Sequence, residues 1–186
     1  MQTSPQSPRD CQATPSAPCT EQGAERLLHP AVKALPDLLA EVARLKNAGQ
    51  RIVFTNGCYD ILHPGHVDLL ARARALGDVL ILGLNSDNSV RRLGKAPDRP
   101  VNPFSVRAFV LAHLASVDYV IVFDEDTPFE LVRAIRPHVL VKGGDWPLDR
   151  IVGNDIVQAD GGEVYSLPLL PGFSTTSMIA RIRKQE

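Results

Sequence analysis

Asp78-Val-Leu-Ile-Leu-Gly-Leu84 holds six non-polar residues in a row, and Tyr119-Val-Ile-Val-Phe123 and His138-Val-Leu-Val141 repeat the pattern on a shorter scale. A strand with one wet face alternates apolar and polar residues, so uninterrupted runs predict strands covered on both faces. Arg51-Ile-Val-Phe-Thr55 reads the same way, and Glu163-Val-Tyr-Ser166 gives a fifth short strand. Helical periodicity fills the intervals. Leu38, Leu39, Val42 and Leu45 share one helical face between a Pro36-Asp37 start and a Gly49 stop. Further helices are expected over 67–76, 103–114, 127–135 and 151–159, and a last one from Ser174 to near Lys184. Strands alternating with helices make a doubly wound α/β domain with a five-stranded parallel sheet, and such sheets bind ligands at the carboxyl ends of their strands.

The first 26 residues stand apart. They contain no Leu, Ile, Val or aromatic residue, and Ser, Thr, Pro and Gln dominate. Such a segment cannot bury enough surface to offset its ordering entropy. The expectation is a disordered tail over 1–30 and one folded domain over 31–186. Two of the three cysteines, Cys11 and Cys19, fall in that tail at a spacing that matches no zinc pattern. An odd, unpaired set of cysteines fits a reducing compartment, so a cytoplasmic location is expected. A formal net charge of -1 argues against a broad nucleic-acid surface. No run approaches the ~18 apolar residues a membrane helix needs, and no basic segment followed by an apolar one opens the chain as a secretory signal would.

If ligands gather at strand ends, the residues that follow each strand carry the chemistry. The first strand runs into Thr55-Asn-Gly-Cys-Tyr-Asp-Ile-Leu-His-Pro-Gly-His66. His63 and His66 stand where a helix starts, and free backbone N–H groups and the helix dipole attract anions there. Gly65 removes a side chain where a ligand can approach, and Gly57 permits a tight turn. Cys58, Asp60, His63 and His66 are all possible zinc ligands, but their spacing follows no usual zinc pattern, so no metal ligand is assigned. A Ser-His-Asp hydrolase would carry a G-x-S-x-G elbow, and there is none. His29, His113 and His138 read as structural. Phosphate binding is the reading these residues support.

Other strand ends agree. Lys142-Gly-Gly-Asp-Trp146 follows a strand, where a cation and two glycines suit a polyanion or, more plainly, a tight turn. Ser174-Thr-Thr-Ser177 opens the last helix, where one hydroxyl serves as a cap and four look like a phosphate cradle. Asn85 and Asp87 either cap the helix after the second strand or face a ligand. Trp146 is either a stacking platform or a core aromatic.

Asn56-Gly-Cys-Tyr-Asp-Ile-Leu-His-Pro-Gly-His66 resembles the H-x-G-H signature of the cytidylyltransferase-like nucleotidyltransferases. Gly83-Leu-Asn-Ser-Asp87, Arg99-Pro-Val-Asn-Pro103, Phe123-Asp-Glu-Asp-Thr-Pro128, the Lys142–Trp146 segment and Phe173-Ser-Thr-Thr-Ser177 narrow the likeness. Together they resemble the adenylyltransferase domain of the bifunctional ADP-heptose synthases, over roughly residues 36 to 184.

The resemblance implies a Rossmann-like nucleotidyltransferase fold and a transfer of AMP from ATP to a sugar 1-phosphate, with heptose 1-phosphate first in line. The alternative is a CTP-dependent enzyme acting on glycerol 3-phosphate or a similar alcohol phosphate; a nucleotide-binding module without catalysis is the third reading. It implies catalytic roles for His63, His66, Lys95 and Lys142. Arg91 and Arg92 are alternates for Lys95, because the Leu93–Pro100 loop runs one residue longer than the family's. Thr55, Asn56, Gly57, Cys58, Gly65, Arg107, Gly143, Ser174, Thr175, Thr176 and Ser177 fall to the nucleotide. Asp60, Asn85, Asp87, Arg99, Gly144, Asp145 and Trp146 fall to the acceptor. Mg2+ is expected to arrive with ATP rather than in a protein cage. The bifunctional enzymes carry a sugar-kinase domain ahead of this one, so a separate sugar kinase is expected upstream. A homodimer is expected too, and no nucleic-acid or membrane partner.

Overall fold

Every residue from Val79 to Asn85 is buried, as an inner strand of a sheet covered on both faces requires. In the computed structural model, residues 27, 29–94 and 98–184 are described. The expected tail over 1–30, with Cys11 and Cys19, therefore lies almost wholly outside the described residues, and so does Lys95. Among the described residues the sheet has six parallel strands: β1 (Val32–Lys33), β2 (Ile52–Gly57), β3 (Val79–Asn85), β4 (Tyr119–Phe123), β5 (Val139–Gly143) and β6 (Glu163–Leu167). The sequence predicts five. The sixth, β1, is a two-residue edge strand beside β4, with Val32 opposite Val120. Two residues carry no periodicity to read.

The helices are α1 (Leu35–Asn47), α2 (Pro64–Arg74), α3 (Asp87–Arg92), α4 (Phe104–Ala112), α5 (Phe129–Ile135), α6 (Asn154–Ala159) and α7 (Thr175–Arg183). The helices expected from 67 and 127 start at Pro64 and Phe129, and two further starts differ from expectation for local reasons. The expected helix over 151–159 begins only at Asn154, because a 3-10 turn at Leu148–Arg150 and Gly153, at φ 88°, break the α pattern ahead of it. After β3 the cap of α3 is neither Asn85 nor Asp87 but Ser86, whose Oγ accepts from the Ser89 N–H.

Alternate strand residues feed two cores, which is how an uninterrupted apolar run is used. Ile52, Phe54, Val79 and Ile81 pack with α1 and α5 through Leu38, Val42 and Ile135. Val53, Leu80, Leu82 and Val141 pack with α2 and α4 through Leu70 and Leu111. No helix among the described residues is long and apolar enough to cross a membrane.

The strand order β1-β4-β3-β2-β5-β6 decides where a ligand can sit. From β2 the chain winds outward through β3 and β4, then returns to the other side of β2 to lay down β5. The loops leaving β2 and β5 therefore diverge, and a crevice opens above their carboxyl ends.

Candidate active site

β2 ends at Gly57, and the chain turns through Tyr59, which adopts a left-handed φ of 44°. Such a conformation is rare for an aromatic residue and persists only where its surroundings hold it. Here Tyr59 is buried and its ring lies against His66, centroids 5.1 Å apart. Burial pushes its hydroxyl pKa up, so it stays a neutral phenol. α2 starts immediately after His63, with Pro64 at its first position, where no N–H partner is needed. His63 and His66 then fall on one side of the first turn, and their rings stack at 3.8 Å with an 18° interplanar angle. Two stacked imidazoles resist carrying two charges at once. Burial lowers the His63 pKa, which favours its neutral form. A neutral imidazole still donates one N–H to an oxyanion.

Gly65 is set by this pair. A Cβ there would lie 3.1 Å from His63 Nδ1 and 3.4 Å from the Phe173 Cβ, so any side chain would press on the histidine. Gly144, at φ 112°, similarly lets Trp146 fold back: a Cβ would meet the indole Nε1 at 3.0 Å.

Three elements converge on a cavity of about 390 Å³ at the predicted crevice. β2 and the start of α2 bring Asn56, Gly57, Cys58, His63, Gly65 and His66; β5 brings Lys142 and Gly143; the start of α7 brings Ser174, Thr175 and Thr176. Lys142 Nζ donates to Asn56 Oδ1 at 3.3 Å, which holds the ammonium over the β2–β5 seam. Ser174 Oγ caps α7 by accepting from the Ser177 N–H at 3.0 Å, and Ser177 Oγ donates back to the Ser174 carbonyl. Thr175 is buried and its hydroxyl lies 3.5 Å from the Ile61 carbonyl, tying α7 to the histidine loop. The hydroxyls thus mostly build the helix start. The first N–H groups of α7, left over by helix geometry, are what face an anion.

A second cavity of about 310 Å³ shares the floor Asn56, Gly57 and Cys58, and also Lys142 and Trp146, and adds Asn85 to its wall. Trp146 is half exposed and lines both, so it is not a core aromatic.

Several predicted residues lie beneath the cleft rather than on it. Arg107 is buried; its guanidinium donates to the carbonyls of Cys58 (2.6 Å) and Asn102 (3.0 Å) and pairs with Asp87 at 2.7 Å. Asp60 is buried and accepts from Arg99 Nε at 2.9 Å and from the Val101 and Asn102 N–H groups. Burial pushes its carboxyl pKa up, but those hydrogen bonds outweigh it and hold the pKa below the ordinary carboxylate value. These groups lock the Cys58–Asp60 loop to the 98–103 segment. Arg99 still reaches the first cavity, whereas Thr55, Gly144, Asp145 and Ser177 line neither. Asn85 donates to Ser89 Oγ and lies 3.9 Å from the Cys58 thiol.

Sequence reasoning passed over Tyr59, Leu69, Leu169 and Phe173 in the first cavity, and Asp126, Thr127 and Arg150 in the second. Asp126 and Thr127 follow β4, so the strand-end rule reaches them. Leu169 and Phe173 sit in irregular segments and Arg150 ends a single 3-10 turn, none of which carries a periodic signal.

Comparison with known proteins points the same way. Residues 54–179 match the family model described as cytidylyltransferase-like. A bifunctional protein HldE from Rhodopseudomonas palustris is 56% identical over 150 residues, which is 81% of this chain and 30% of that protein. The HldE of Azotobacter vinelandii is 53% identical over 165 residues, 89% of this chain and 34% of its own length. The chain thus spans about a third of the length of these curated relatives. The crystal structure of the lipopolysaccharide core biosynthesis protein from Thermoplasma volcanium superposes with a TM-score of 0.55 at 26% identity, covering 66% of this chain and 98% of that one.

Proposed function

Since the chain belongs to the cytidylyltransferase-like family and is thereby a nucleotidyltransferase, we propose that it transfers AMP from ATP to a sugar 1-phosphate, heptose 1-phosphate foremost, releasing pyrophosphate. The observation that carries this reading is the convergence of the stacked His63–His66 pair, Lys142 and the α7 start on one cavity. That arrangement suits a chain of phosphates. The high identity to HldE proteins across the whole of this domain supports the choice of acceptor, together with the likeness of the strand-end segments to ADP-heptose synthases.

The chemistry needs no protein nucleophile. An oxygen of the acceptor phosphate attacks the α-phosphorus of ATP, the bond to the bridging oxygen breaks, and pyrophosphate leaves with the electron pair. The protein's part is positioning and charge stabilisation. His63 and His66 donate to the α-phosphate and bridging oxygens, where charge grows during transfer. Lys142 offsets further charge, and so does Lys95 in this proposal. The α7 N–H groups take the β- and γ-phosphates. Mg2+ enters on the triphosphate as part of the substrate. The acceptor must arrive already phosphorylated, which calls for a sugar kinase upstream.

The test is pyrophosphate release with ATP or CTP against a panel of sugar 1-phosphates and glycerol 3-phosphate. Release is expected with ATP and a sugar 1-phosphate, fastest with the heptose. Turnover confined to CTP with glycerol 3-phosphate would overturn the substrate assignment. Binding of nucleotide without any turnover would make the domain a regulatory module.

A further inference from the structure

Of the second chamber's lining the scheme so far uses only Lys142, although the resemblance gives Asn85 and Trp146 to the acceptor. This chamber shares Lys142 and Trp146 with the first, but the histidine pair and the α7 start belong to the first alone. In-line displacement requires the attacking oxygen to approach opposite the leaving group. With the β- and γ-phosphates directed at α7, the side open to an attacking phosphate is the second chamber, across Lys142. At about 310 Å³ it falls at the small end of the range for compact ligand sites, roughly 300–1,000 Å³.

Its polar groups are unevenly committed. Asp126 pairs with Arg92 Nε at 2.7 Å, a guanidinium it shares with Asp124. Arg99, the arginine of the first chamber, is spent on Asp60. Arg150 lines the second chamber at the end of the 3-10 turn and is exposed, and its guanidinium makes no hydrogen bond or ion pair with the described residues. Most arginines here do the opposite: Arg44, Arg51, Arg72, Arg74, Arg133 and Arg136 each pair with a carboxylate. An uncommitted fork of donors in a chamber that Thr127 also lines suits a ligand rich in oxygen acceptors.

The geometry points to this second chamber as the seat of the acceptor's sugar, with Arg150 as the residue that grips the acceptor and selects it over shorter alcohol phosphates. The inference rests on the nucleotidyl-transfer reading above, and its test separates the two. Arg150→Ala is expected to raise the KM for the sugar 1-phosphate by about 10-fold or more, the loss of a charge-assisted hydrogen bond. The KM for ATP should stay within about 2-fold and the circular dichroism spectrum should be unchanged, with Arg150→Lys recovering part of the loss. An unchanged acceptor KM, or a rise in the ATP KM instead, overturns it. Trp146 is the sole tryptophan of the chain and lines both chambers, so its fluorescence reports binding without turnover. A sugar 1-phosphate should perturb it, with the dissociation constant raised about 10-fold in Arg150→Ala. If the wild-type protein releases no pyrophosphate with any acceptor, the transfer reading falls. The titration then decides the chamber alone, and a response that is absent or independent of Arg150 overturns the assignment.

Discussion

The two ends of the sheet both carry clustered cations, yet only one is built like a site. At the amino end of β2 and β5, Lys46, Arg51, Arg136 and His138 surround a cavity of about 260 Å³. There Arg136 pairs with Asp160, Arg51 with Glu163, and Lys46 donates to the carbonyls of Ile135 (2.9 Å) and Arg136 (2.7 Å) that finish α5. His138 Nδ1 accepts the Ile52 N–H at 2.9 Å. Every charge closes a local account. At the carboxyl end the helices present their starts instead of their ends, because helices run antiparallel to the strands they follow. The N–H groups left over there, that of Gly65 in α2 and those of Thr175 and Thr176 in α7, belong to residues lining the cavity that holds the histidines and Lys142. Cations alone do not mark a site; cations beside unsatisfied backbone donors do.

Removing a donor at the carboxyl end should cost most. His66→Ala is expected to lower kcat by about 10²–10³-fold, the usual loss for one preorganised donor to a developing oxyanion, while the melting temperature stays near that of the wild type. Near-normal pyrophosphate release would break the comparison outright. Arg107→Leu tests the support below the cleft. It strips donors from the Cys58 and Asn102 carbonyls and a partner from Asp87, so urea denaturation should show a loss of about 3 kcal/mol. Stability within 1 kcal/mol of wild type would show that the guanidinium is not the tie inferred from its contacts. Gly65→Ala should push on the His63 ring by a few tenths of an ångström and lower kcat by about 10-fold, with stability little changed, since such steps are sensitive to small misplacements. An unaltered kcat would mean the histidine pair tolerates displacement.

The fold was largely legible because burial on both faces writes apolar runs, and Val79–Asn85 is the plainest example. β1 escaped because two residues cannot show a period. The anion-binding loop was legible as well, since His63, Gly65 and His66 lie within one turn and their geometry is local. Arg107 and Asp60 show the limit. Arg107 meets Cys58 across 49 residues and Asp87 across 20, and Arg99 meets Asp60 across 39. A charged residue that bridges distant loops reads along the chain like one that meets a ligand. Only the fold tells whether its partner is protein. Arg150 is the converse: nothing periodic announces it, and its interest comes from what it fails to touch.

The weakest expected effects belong to the amino end. Lys46→Met removes two bonds to helix-ending carbonyls and should cost about 1 kcal/mol of stability, with kcat unchanged. A large loss of turnover would mean the two ends are coupled. Smaller still is a pH effect. Burial lowers the pKa of both His63 and His138, the latter helped by Lys46 and Arg51. The unfolded chain, with imidazoles near 6.5, then binds more protons than the folded one just below that pH. Stability should therefore fall as pH drops through about 6.5, and the melting temperature should decline between pH 7.5 and 5.5. His138→Asn keeps an acceptor for the Ile52 N–H but removes the titrating ring, so its decline should be shallower. Equal declines in the two proteins would assign the whole effect to the His63 end and remove His138 from the account.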